Sequence, residues 1–178
     1  MIATLKRALA ALTLLAALPA GATVATAPAA REYRLFLFHN HTGERMDVVY
    51  RIGAHYLTPA LAKLNYYLRD HRTGEVHPYD PQVFDLLHDL TAAAGRPDAE
   101  IHVVCGYRTP WSNQYLREHS SGVAEHSLHM QAKAIDIQLP GISAARLRDA
   151  ALALRRGGVG YYAKSGFVHV DVGRIRRW

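Results

Sequence analysis

The sequence predicts one α+β domain, a central antiparallel sheet with helices packed on it. Three observations carry that prediction. Two helices, opened by Thr58-Pro59 and Asp80-Pro81, precede the central strands. A further helix, capped by Ser143, lies between strands. A tight turn at Lys164-Ser165-Gly166 joins the last two strand patterns, which favours antiparallel pairing.

The elements follow in chain order. Residues 34–38, apolar after Arg34, and 46–50 read as two strands joined by the polar turn His39-Asn40-His41-Thr42-Gly43-Glu44, a hairpin. Thr58 as N-cap and Pro59 in the first turn begin a helix carrying Leu61, Leu64, Tyr67 and Leu68 on one face. The second helix places Val83, Phe84, Leu86, Leu87 and Leu90 on its stripe and stops at Gly95-Arg96-Pro97. Residues 101–105 form a β-branched strand ending at Gly106-Tyr107-Arg108-Thr109-Pro110. A short helix over 112–118, an alternating strand over 134–139, a helix from Ser143 through Arg155 and a strand over 167–172 complete the pattern.

Composition bounds what such a fold can do. The 178 residues are 49% hydrophobic and 20% charged, ordinary values for a globular chain. One cysteine excludes an intramolecular disulfide and a multi-cysteine zinc site. Residues 1–30 hold no acid and only Lys6 and Arg7 as bases, followed by an apolar run over 8–18 and small residues. That is the build of an export signal with cleavage near 22–29, and the run is shorter than the roughly 20 residues a membrane span needs. Its removal leaves residues 31–178 as one domain with no stable membrane span, in the periplasm or cell envelope, with 19 basic and 15 acidic side chains. No basic helix interleaved with aromatics is present, so nucleic acid is not an expected partner.

The chemistry concentrates in two clusters, Ser127-Leu128-His129 to Asp136 and Phe167-Val168-His169-Val170-Asp171. His129, Asp136 and His169 offer two imidazoles and a carboxylate, the composition of a catalytic zinc site with one position open for water. Such a zinc lowers the pKa of its water and polarises a carbonyl. Asp171, two residues after His169, leaves the strand on the same face and is the expected general base. Arg108, just past a strand, is the expected holder of the oxyanion or of a substrate carboxylate. Ser127, Tyr107 and Tyr161 are candidate substrate contacts, with loop fixing and aromatic packing as the competing roles. His126 and Glu125 read as surface residues, His39 and His41 as parts of a polar turn, and Cys105 as a buried thiol.

These residues also carry a family resemblance. Gly106-Tyr107-Arg108-Thr109-Pro110, Ser127-Leu128-His129-Met130, Ala134-Ile135-Asp136, Gly160-Tyr161-Tyr162 and residues 167–173 resemble the LAS-type zinc peptidases. That group takes in D-Ala-D-Ala carboxypeptidases, murein endopeptidases and hedgehog-like domains, and the chain looks most like murein endopeptidase K-like proteins. The resemblance runs from about residue 35 to the C-terminus. It implies a hedgehog/DD-peptidase-like fold and zinc on His129, Asp136 and His169. It also implies transition-state help from Arg108 and hydrolysis of peptidoglycan peptide cross-links. A carboxypeptidase of terminal D-Ala and a non-catalytic zinc-containing wall-binding module are the rival expectations. Two positions depart from the family pattern. Ala132 stands where it has Gly, which matters if the backbone there takes positive φ. Gly166 stands where the carboxypeptidase branch has its Glu base.

Overall fold

A computed structural model describes residues 30–120 and 122–178, so the expected export signal lies outside the described residues except for Ala30. One eight-stranded mixed sheet carries the domain. Its strands are β1 (Glu32–His39), β2 (Arg45–Ile52), β3 (His55–Tyr56), β4 (Ile101–Cys105), β5 (Ala134–Gln138), β6 (Gly158–Tyr162), β7 (Phe167–Asp171) and β8 (Arg176–Arg177). The spatial order is β3-β2-β1-β4-β5-β7-β6-β8. The central run β4-β5-β7-β6 is antiparallel throughout, as expected. Two parallel pairs flank it. β1 and β4 run parallel because the intervening helices α1 (Thr58–Tyr67) and α2 (Gln82–Ala93) form a crossover, and β8 runs parallel to β6 because β7 reverses the chain between them.

The helices begin where the sequence indicates, with local differences. Thr58 is the first residue of α1 rather than its cap; Leu57 holds the cap position without a side-chain bond. Asp80 Oδ1 accepts from the Gln82 amide at 3.0 Å at the start of α2. α3 (Pro110–His119) starts before the expected Ser112, because Thr109 caps it by accepting from the Ser112 amide at 3.1 Å. Ser143 caps α4 (Ala144–Leu154) through the Arg146 amide at 3.3 Å, and Arg155 closes it in the left-handed region. β3 and β8 have two residues each, too few to leave a period in the sequence.

Strand alternation divides the sheet into two faces. Ile135 opposes Val170 and Ile137 opposes Val168, and these side chains pack under α2 and α4 with Val83, Phe84, Leu87, Leu90 and Leu147. Each such side chain contributes about 1.5–3 kcal/mol on burial. On the other face Asp136 opposes His169 and Ala134 opposes Asp171. The apolar face therefore anchors the two strands whose polar face carries the chemistry. Among the described residues, no helix is long and apolar enough to cross a membrane.

Candidate metal centre

His129 reaches the site from a 3-10 turn (Leu128–Gln131) whose start is capped by Ser127, its hydroxyl accepting from the His129 amide at 3.3 Å. The turn ends at Ala132 with φ 49° and ψ 42°, and its methyl is fully buried. The departure from Gly thus falls on a left-handed position, where a Cβ costs on the order of 1–2 kcal/mol. Asp136 and His169 face each other on β5 and β7. The three side chains meet: His129 Nε2 lies 3.2 Å from Asp136 Oδ1 and 3.1 Å from His169 Nδ1, and His169 Nδ1 lies 2.8 Å from Asp136 Oδ1.

Hydrogen-bond partners fix what these atoms are. His129 Nδ1 is 2.8 Å from the Gly106 carbonyl, which only accepts, so the ring proton sits on Nδ1. His169 Nε2 is 3.2 Å from Asp171 Oδ2, so that nitrogen carries the proton of the neutral ring. Two imidazole lone pairs and a carboxylate oxygen then converge on one point, an arrangement that repels itself without a cation between them. Without a metal the cation is a proton: burial opposes charge on His129, but the facing Asp136 carboxylate more than reverses this and raises the imidazole above its ordinary value. Burial likewise pushes Asp136 up, and the two histidines more than reverse that, holding it well below the carboxylate range. A metal ion fits the same point, since tetrahedral ligands at about 2.1 Å stand roughly 3.4 Å apart.

Cys105 belongs to this site as well. Its sulfur and one donor atom each from His129 and Asp136 lie within 4.8 Å of one another. Simple alternation puts Cys105 with Ile101 and Val103 on the core face, but a bulge between Val103 and Cys105 turns it opposite Asp136. The thiol is buried as expected, yet it is part of the metal environment, which strand periodicity conceals.

Arg108 is held beside the ligands. Gly106 permits this, because a Cβ there would stand 2.6 Å from the Leu68 carbonyl, to which the Tyr107 amide also bonds at 2.8 Å. Asp70, fully buried, accepts from the Thr109 amide and hydroxyl at 2.8 Å each and fixes the turn. Arg108 donates to Asn113 Oδ1 at 3.2 Å and approaches Asp136 Oδ2 at 3.9 Å; its Nε is buried without a partner among the described residues. Asp70 was not legible as a site residue, because it is a lone polar residue in a loop pattern; Asn113 read as a helix-start residue with substrate contact as its other role, and it holds Arg108.

Asp171 is placed differently from its expected role. It leaves β7 on the same face as His169, but its carboxylate reaches the nitrogen of His169 that points away from the ligand cluster. It is fully buried and also accepts from the Gly158 and Gly173 amides at 2.9 and 2.8 Å, with Arg176 Nη2 at 2.8 Å. Burial raises its pKa, and these donors together hold it well below the ordinary range.

A cavity of about 380 Å³ opens over the ligands. Its walls run from His41, His71 and Arg72 near β1 and β4, past the ligands, to Tyr162, Phe167 and Trp178 beside β6 and β8. Ser127 lines it, and so does the exposed His126. Tyr107 does not; it is buried with its hydroxyl donating to Glu75 at 3.2 Å. Tyr161 does not either, since β6 alternation sends it to the other face beneath Arg148, and Tyr162 takes the groove side. His39 is fully buried rather than in the turn, and His41 stacks on His71 at 4.0 Å. Among the described residues lining the groove, Asp136 is the only carboxylate.

Comparison with known proteins adds to this geometry. A family model described as peptidoglycan L,D-endopeptidase MepK matches residues 26–178. A probable peptidoglycan L,D-endopeptidase MepK of Haemophilus influenzae is 40% identical over 146 residues, covering 82% of this chain and 78% of the relative. The peptidoglycan L,D-endopeptidase MepK of Escherichia coli K12 is 40% identical over 160 residues, covering 90% and 86%. The match spans nearly the whole described domain, and the chain belongs to the MepK family of peptidoglycan L,D-endopeptidases.

Proposed function

We propose that the protein is an exported, zinc-dependent murein endopeptidase that hydrolyses L,D peptide cross-links of peptidoglycan. The observation that carries this reading is the convergence of two imidazole nitrogens and a carboxylate oxygen, beside a buried arginine, on the floor of a groove. His129, Asp136 and His169 would hold the ion. Zinc bound by two histidines and a carboxylate supplies the Lewis acidity that makes water nucleophilic near neutral pH. The groove passes the ligands on both sides, which suits a bond inside a cross-link better than a terminal residue.

The side chains divide the remaining work. Arg108, which lines the groove beside Asp136 Oδ2, stabilises negative charge developing on the carbonyl oxygen. Asp171 keeps the His169 proton on Nε2 and so presents Nδ1 to the ligand cluster, a positioning role. Proton transfer falls to His126, two residues before the turn that carries His129 and exposed on the groove wall; histidine is suited to accept and return a proton near neutral pH. The test is incubation of the purified protein with cross-linked muropeptides, with and without a chelator, and mass analysis of the products. Cleavage at L,D cross-links that the chelator stops and zinc restores is expected. No cleavage by zinc-loaded protein overturns the enzyme reading.

A further inference from the structure

The segment after β7 wraps around His169, and no step above uses its last residue. Arg176 pairs with Asp171 Oδ2 at 2.8 Å and lies over the Trp178 ring at 4.9 Å. The same indole sits 5.1 Å from the His169 ring and donates from Nε1 to the Tyr162 hydroxyl at 3.1 Å. Its backbone is tied to β6, the Trp178 amide to Val159 at 3.2 Å and its carbonyl to Tyr161 at 3.0 Å. The seat for this ring is the missing side chain of Gly160, where a Cβ would stand 2.6 Å from the indole. A Cβ on Gly158 would collide with Asp171 and Arg176 in the same way. Half of Trp178 is still exposed, and it forms a wall of the groove.

We propose that Trp178 is a positioning residue for the metal centre: it closes over the Arg176–Asp171 pair and the His169 imidazole, holding the ligand's orientation from outside while walling the groove. Alone, the Arg176–Asp171–His169 chain leaves its guanidinium open to water, which weakens the pair. The indole covers that side, and the glycine-lined seat admits a ring and little else. The proposal rests on the metal reading of the site, so its test reads metal binding directly.

Zinc affinity is measured by competition with a chromophoric chelator. Trp178→Ala is expected to weaken it about tenfold or more, the usual size of an outer-sphere loss. Trp178→Phe, which keeps an aromatic cover, is expected to stay within about threefold of the unchanged protein, well short of that loss. Gly160→Ala, which leaves Trp178 in the sequence but fills its seat, is expected to weaken binding as Trp178→Ala does. A fourth protein guards against misfolding as the explanation. Trp111 is exposed and the chain has two tryptophans, so Trp111→Phe leaves Trp178 as the sole indole. Cobalt is expected to quench that fluorescence saturably, and to quench Trp178→Phe, where Trp111 remains, far less. Unchanged zinc affinity in Trp178→Ala, or equal quenching of the two indoles, overturns the proposal. Failure of the unchanged protein to bind either metal overturns the metal reading together with it.

Discussion

Asp171→Asn separates positioning from proton transfer. Asn retains Oδ1, which accepts from Gly158, Gly173 and Arg176, but puts an amide NH2 where Oδ2 stood. Two donors, His169 Nε2 at 3.2 Å and Arg176 Nη2 at 2.8 Å, then face a third donor. The imidazole relieves the clash by moving its proton to Nδ1, the atom that faces His129 and Asp136. Metal affinity is expected to fall by about 10–100-fold, equivalent to about 1.4–2.7 kcal/mol. Because Asp171 is fully buried and Arg176 loses its counter-charge, the metal-free protein is expected to lose about 2–4 kcal/mol. Chelator competition reads the first effect and urea unfolding in the presence of excess chelator the second. If Asp171→Asn binds zinc as the unchanged protein does and yet is inactive, the carboxylate acts on the proton and the positioning role is wrong.

Three further outcomes are expected. Arg108→Lys replaces a planar fork by a point charge and should lower kcat by about 10²–10³ with zinc affinity intact; unchanged kcat would remove Arg108 from the transition state. His126→Ala should lower kcat by about 10²–10⁴ with zinc affinity intact; loss of zinc in its place would make His126 a ligand. His39 is pushed down to about 4, first by burial and then by His41. Above its ordinary 6.5 both folded and unfolded forms are neutral; as pH falls towards 4 the unfolded chain takes up a proton that the folded chain refuses, so stability falls. His39→Asn, whose oxygen can still accept the His41 amide, should remove up to roughly 3 kcal/mol of that acid loss, read from urea midpoints at neutral and acid pH. Parallel pH curves for the two proteins would refute this.

Much of the site was legible because its residues lie on regular strands. Alternation put His169 and Asp171 on one face, and the turn at Ser165 made their strand antiparallel to its predecessor; both hold. The same rule explains what was hidden. It says which face a side chain leaves but not which ring nitrogen it meets, so Asp171 read as a base beside the metal. One bulge moved Cys105 from the core to the site, and one residue of phase put Tyr162 rather than Tyr161 in the groove. Asp70 reaches Thr109 across 39 residues, and such pairing leaves no local period. Ala132 shows the converse: a single departure from the family pattern marked a position where positive φ would matter, and φ there is 49°.

In the proposed centre His129, Asp136 and His169 bind one zinc ion through Nε2, Oδ1 and Nδ1. Anomalous diffraction from crystals of the zinc-loaded protein, recorded on either side of the zinc absorption edge, tests it most directly. One strong peak is expected, about 2.0–2.2 Å from each of those three atoms. A peak elsewhere, or His169 turned to present Nε2, would contradict it.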